Sequence, residues 1–111
     1  MTLYILRIDT DIKNFSRLNT LFEISSKQNL KGFWEYKISD EDSFFQNAVE
    51  HILTKLEHNL NALKTLGVRK RDLSLWYLYE YDSQCNFEFS SKELKRISLS
   101  GLPLCISCWQ G

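Results

Sequence analysis

Leu73-Ser74-Leu75-Trp76-Tyr77-Leu78-Tyr79-Glu80-Tyr81, followed by Asp82-Ser83-Gln84-Cys85 and then Asn86-Phe87-Glu88-Phe89, is the stretch that decides the fold. Apolar side chains fill both phases of a two-residue period from Leu73 to Tyr81, the pattern of a strand in the middle of a sheet. Asp82 to Cys85 is turn chemistry, and Phe87 and Phe89 alternate with Glu88, so a hairpin with a return strand is expected. Ser90-Ser91-Lys92-Glu93 is a capping box opening a short helix, with Leu94 and Ile97 inward and Lys92, Lys95 and Arg96 outward until Gly101 closes it. A last strand follows Pro103, with Leu104, Ile106 and Cys108 on one side and Cys105 and Trp109 on the other.

Working back from this region, Thr2 to Ile8 is also apolar on both faces and reads as the other central strand. Phe15, Leu18, Leu21 and Phe22 recur at helical spacing, with Asn14 as the expected cap. Ser25 to Gly32 reads as a polar loop, and Trp34, Tyr36 and Ile38 alternate with Glu35 and Lys37 as a strand with one wet face. The spacing of Phe45, Val49, Ile52, Leu56, Leu60 and Leu63 predicts one long helix over residues 43–66. Ser43 and Gln46 would form its capping box, Asp40, Glu41 and Asp42 would face its positive end, and Gly67 would end it. The fold expected is α+β in a single domain over residues 1–111: a mostly antiparallel five-stranded sheet with one long and two short helices, in the order βαβαββαβ.

Composition narrows the function. Fourteen basic and fourteen acidic residues cancel, so the chain lacks the basic field that holds phosphates, and no nucleic acid partner is expected. Arg69-Lys70-Arg71 is too short to be a phosphate track and reads as a solvated loop. Four scattered glycines build no phosphate-binding loop. The opening residues contain neither a signal-peptide core nor a membrane-spanning run, and an odd number of cysteines, three, suits a reducing compartment; the expectation is a cytoplasmic protein without membrane contact.

Three sets of residues have the chemistry of a site. Cys105 and Cys108 have C-x-x-C spacing, but residues three apart on a strand point to opposite faces, about 10 Å apart, beyond the reach of a disulfide; they read as small buried hydrophobes. Cys85 lies in a turn, where a reactive thiol would need a base, and the only histidines, His51 and His58, sit about 10.5 Å apart along the long helix, which reads as a boundary position. No metal and no cofactor are expected. The third set is acidic: from Ser74 to Ser91 there are three carboxylates, Glu80, Asp82 and Glu88, without a lysine or arginine, beside Tyr79 and Tyr81. Acids on a hairpin tip keep a protein soluble and discourage edge pairing. Aromatic area beside one sign of charge is also the composition of a protein-binding surface. Both readings stand on the same residues.

Five segments, Phe33-Trp34-Glu35-Tyr36, Leu63-Lys64-Thr65-Leu66-Gly67, Leu73-Ser74-Leu75-Trp76-Tyr77-Leu78, Asn86-Phe87-Glu88-Phe89-Ser90 and Gly101-Leu102-Pro103-Leu104-Cys105-Ile106-Ser107, together resemble small bacterial immunity proteins of the contact-dependent growth inhibition kind, and a related group of bacterial domains of unknown function. These segments mark strands, caps and turns and transfer no functional residue. The resemblance implies a cytosolic, non-enzymatic inhibitor that binds a cognate protein toxin, often a nuclease, and blocks its active or substrate-binding surface. Electrostatics then favours Tyr79, Glu80, Tyr81, Asp82 and Glu88 as contacts, with Asp40, Glu41 and Asp42 as a second patch, in a monomer or weak homodimer. A small adaptor or oligomerising domain, using the edge near Phe87 to Phe89, and a cysteine-dependent enzyme are the alternatives.

Overall fold

A computed structural model describes residues 1–25 and 32–111. The expected loop from Ser25 to Gly32 falls mostly outside these. Strand β1 (Thr2–Asp9) is central, antiparallel to β2 (Phe33–Ser39) on one side and to β3 (Leu73–Tyr81) on the other; β4 (Leu104–Gln110) runs parallel to β3. The order β2-β1-β3-β4 makes one mixed four-stranded sheet, with β1 and β3 interior as their two-sided apolar pattern requires. Among the described residues four helices accompany it: α1 (Phe15–Leu21), α2 (Ala48–His58), α3 (Leu60–Thr65) and α4 (Ser91–Ser100).

The class is α+β, and the finer expectation needs correction. Residues 84–90 form no strand, so the sheet has four strands instead of five, and it is mixed, with two antiparallel pairings and one parallel. The reason lies in β3 itself, which has only two sides: β1 pairs with one and β4 with the other, leaving no ladder for a return strand. Phe87 and Phe89 keep their expected apolar role without hydrogen bonding, since both rings pack on Tyr77, at 5.4 and 5.0 Å between centroids.

The long helix also divides. A 3-10 turn at Phe45–Asn47 precedes α2, and no Ser43 cap forms. The Asp42 carboxylate accepts from the Ser39 backbone N–H at 2.7 Å instead, which ties the acids to the end of β2 rather than to a helix start. At Asn59 the side-chain amide donates to the Lys55 carbonyl at 2.9 Å, competing with the helix's own bonding, and the axis is interrupted there. Leu60, placed inward on an unbroken helix, consequently ends up 48% exposed. Asn14 stands at the N-cap position of α1 but makes no side-chain capping bond: it is buried, donating to Thr10 Oγ1 at 2.8 Å and to the Leu66 carbonyl at 3.3 Å. Leu94 is exposed, whereas Ile97 is buried as expected. The second capping box is present, with Ser90 Oγ accepting from Glu93 N–H and Glu93 Oε1 accepting from Ser90 N–H, both at 3.1 Å, and Gly101 ends α4 at φ +73°.

Register separates the two faces of the sheet. Tyr4, Leu6 and Ile8 align with Ile38, Tyr36 and Trp34 on one side and with Tyr77, Leu75 and Leu73 on the other, and this face packs against Phe15, Leu18, Phe22, Val49, Ile52, Leu53, Leu56 and Ile97 in one continuous core. None of the described helices covers the other face. There Arg7 lies over the Trp76 ring at 4.3 Å and the Phe33 ring at 5.1 Å, while its guanidinium donates to Glu35 Oε2 at 3.0 and 2.8 Å. This stack, with Trp76 opposite Ile5, leaves Ile5 only 2% exposed without a helix over it.

Candidate functional site: the acidic end of the sheet

The two acidic patches, far apart in sequence, meet at one end of the sheet. Asp40 N–H donates to the Thr2 carbonyl at 2.9 Å, and Glu80 N–H donates to the neighbouring Met1 carbonyl at 3.0 Å, so the ends of β2 and β3 flank the start of β1. Two strand spacings put these backbones about 10 Å apart. β4 closes the same end, where Gly111 N–H donates to the Tyr81 carbonyl at 2.9 Å and the Gln110 amide to the Asp82 carbonyl at 3.1 Å.

The eight residues chosen from sequence differ in how free they are. Asp42 is engaged in its own turn, and Glu80 lies 3.4 Å from the Met1 ammonium. Asp40, Glu41, Asp82 and Glu88 are exposed, and among the described residues their carboxylates make no hydrogen bond or ion pair. Tyr79 and Tyr81 are half-buried. The Tyr79 ring stacks on Tyr77 at 6.1 Å and meets Phe87 edge-on at 5.3 Å, so its area belongs largely to a four-ring cluster completed by Phe89. Phe87, 36% exposed, is the most exposed ring of this cluster.

Beneath this end is a polar link that the sequence did not reveal. The buried Tyr4 hydroxyl donates to Glu93 Oε2 at 2.9 Å, while the other oxygen of Glu93 holds the cap of α4. Burial, then the bond to Glu93 and its charge, hold the Tyr4 phenol well above the usual tyrosine range. Tyr77 is raised for similar reasons, first by burial and then by Tyr79, Glu93 and Asp40.

The cysteines differ from expectation in their burial, whereas the histidines stay at the edge of the buried face. Cys105 and Cys108 do lie on opposite faces of β4, aligned with Trp76 and Tyr79, but they are not buried: Cys105 is half-exposed and Cys108 exposed, because β4 is an edge strand. Cys85 comes back over β4, and its thiol meets that of Cys108; loss of solvation first, then this bond, raise the Cys85 thiol above its ordinary value. No sequence spacing signals that pairing. His51 is half-buried, with Nε2 3.0 Å from the Tyr36 hydroxyl and its ring stacked on Phe44 at 4.5 Å, and His58 is exposed. Arg69 to Arg71 is exposed in a 3-10 turn. Among the described residues no group of three His, Cys, Asp or Glu side chains is placed to hold a metal ion, and no helix is long and apolar enough to cross a membrane.

No protein-family model, curated protein or solved structure matches this chain.

Proposed function

We propose that the protein is an immunity-type binding domain that neutralises a cognate protein toxin, a nuclease being the substrate class that fits best, by covering the toxin's basic surface with the acidic end of the sheet. The observation that carries this reading is that Asp40 and Glu80 flank the start of β1, with Glu41 and Asp82 close to them in the chain, and that Asp40, Glu41, Asp82 and Glu88 are all exposed and unpaired among the described residues. Unpaired carboxylates at one pole steer a basic partner, and the adjacent Phe87 ring supplies desolvated area once contact is made. A toxin that cuts nucleic acid must present a cationic groove, so occupying that groove by charge and shape suffices to inhibit it.

The test is a calorimetric titration with a basic nuclease toxin domain, taken from a neighbouring gene where one encodes it, comparing the native protein with a variant carrying Asp40→Ala, Glu41→Ala, Asp82→Ala and Glu88→Ala. Loss of even one desolvated interfacial charge pair removes about 2 to 5 kcal/mol, so affinity is expected to fall at least about 100-fold and to weaken with salt in the native protein. Equal affinity of the two proteins would exclude this end as the contact.

A further inference from the structure

Strand β4 is the most exposed strand of the sheet and carries no charge: Leu104-Cys105-Ile106-Ser107-Cys108-Trp109-Gln110. Two backbone bonds fix which of its residues face outward. Leu75 N–H donates to the Pro103 carbonyl at 3.1 Å and Gly111 N–H to the Tyr81 carbonyl at 2.9 Å, so odd-numbered residues turn their backbone groups toward β3. Leu104, Ile106, Cys108 and Gln110 consequently direct N–H and C=O away from the sheet. Ile106 is 46% and Trp109 38% exposed, and Cys108, although the Cys85 thiol meets it on the helix side, is itself exposed.

We propose that β4 is a self-pairing edge, at which two copies of this chain join antiparallel about a two-fold axis through Ser107, merging two four-stranded sheets into one of eight strands. In this register Leu104 faces Gln110 of the second copy and Ile106 faces Cys108, all outward-directed, so the available donors and acceptors match. A two-fold axis normal to the sheet keeps both helix layers on one side, which requires facing residues of the same parity; this register meets that condition. Large residues then meet small ones on each face: Ile106 beside Cys108 on one, Trp109 beside Cys105 on the other. The absence of charge along the strand means a second copy meets no like-charge repulsion, whereas a basic partner would gain nothing here. The other edge is excluded as the seam because Glu35 and Lys37 stand on it. Seven residues per copy bury on the order of 1,000 Å² in total, the low end for specific interfaces, so a reversible dimer of micromolar or weaker Kd is expected. This seam uses none of the carboxylates of the acidic end and does not depend on the toxin reading.

Sedimentation equilibrium of the purified full chain, from about 10 µM to about 500 µM, is the test. The native protein should pass from monomer to dimer across this range. Ile106→Pro removes an outward N–H and no bond to β3, so it should weaken association at least about 10-fold while leaving the circular dichroism spectrum unchanged. A native protein that stays monomeric throughout, or an Ile106→Pro protein that dimerises like the native one, would overturn the proposal. A second measurement covers the case in which proline disturbs folding. In a Cys85→Ser, Cys108→Ser background, Trp109→Cys places a thiol opposite Cys105 of the second copy, where antiparallel partners at a non-hydrogen-bonded position have alpha carbons about 4.5 Å apart, within disulfide reach. Glutathione disulfide takes up the two electrons and two protons of each thiol pair, becoming two glutathiones. A cross-linked dimer on a non-reducing gel, absent when Cys105→Ser is added, is expected; no cross-link from the Trp109→Cys protein overturns the register.

Discussion

Strands β2 and β4 occupy the two edges of one sheet and meet solvent in different ways. In β2, Trp34, Tyr36 and Ile38 are buried in the core while Glu35 and Lys37 project from the uncovered face, 3.6 Å apart, with Glu35 also held by Arg7. In β4, only Leu104 and Cys105 are partly buried, and no side chain from Leu104 to Gln110 is charged. One edge is anchored from beneath and guarded from above; the other is neither. Edges left unguarded in natural sheets are sites of pairing, so the asymmetry separates a structural edge from one available for contact. It also shows that Phe87 to Phe89 is not an edge strand: those rings cover Tyr77 and Tyr79 instead.

The largest expected difference between the edges is thermodynamic. Trp34 is fully buried, packs on Phe22 at 4.9 Å and donates its indole N–H to Asn19 at 2.9 Å, so Trp34→Ala should cost about 3 to 5 kcal/mol, a large share of a small domain's stability. Ile106→Ala, on an exposed position of β4, should change stability by no more than about 0.5 kcal/mol. Urea unfolding of the two variants measures the contrast directly; comparable losses would show that β4 is held far more tightly than its exposure implies.

Exchanging the guards gives a smaller effect. Glu35→Val with Lys37→Val removes the half-buried partner of Arg7 and should lower stability by about 1 to 2 kcal/mol, since Arg7 keeps only its ring contacts with Trp76 and Phe33. The same variant should scatter light at concentrations where the native chain does not, because β2 has become apolar on both phases. Ile106→Lys is the converse, giving β4 a charge at little cost in stability, about 0.5 kcal/mol. If the β2 variant stays as soluble as the native protein, charge is not what protects that edge.

Much of this contrast was legible in the residues, and the part that was not has a clear origin. The two-sided apolar runs of β1 and β3 placed them centrally because a strand buried between neighbours has no wet phase. The alternation of β2 and the Ser90–Glu93 capping box were local signals, and both are present. What the sequence could not carry was pairing. Whether Phe87 to Phe89 or Leu104 to Gln110 takes the vacant side of β3 depends on competition between distant segments, and alternation alone is the same for both. The split of the long helix at Asn59 turned on one side-chain bond to Lys55, invisible to a periodicity of apolar residues. The acidic residues were found by composition as two patches; that they share one end follows only from the register that sets Asp40 and Glu80 on either side of β1. Cys105 and Cys108 were assigned to opposite faces correctly but to the interior wrongly, because spacing reports direction and not whether a neighbouring strand exists.

The smallest effect lies where the 82–90 segment returns over β4 and brings Cys85 to Cys108. Loss of solvation is the larger cause of the raised Cys85 thiol and the bond to Cys108 the next, so deleting Cys108 should bring Cys85 only part of the way back toward its ordinary value. The sign follows from the reactive species: a lower pKa means more thiolate at a fixed pH, and the thiolate is the nucleophile. Iodoacetamide labelling of Cys85, followed by peptide mass across about pH 7 to about pH 10, should therefore be slow at neutrality in the native chain and rise late. In the Cys108→Ala protein the rise should begin at lower pH, with faster labelling at a given pH below the plateau. An identical pH profile in both proteins would mean that the thiols do not meet and that the returning segment leaves this side of β4 open, which would enlarge the unguarded edge rather than close it.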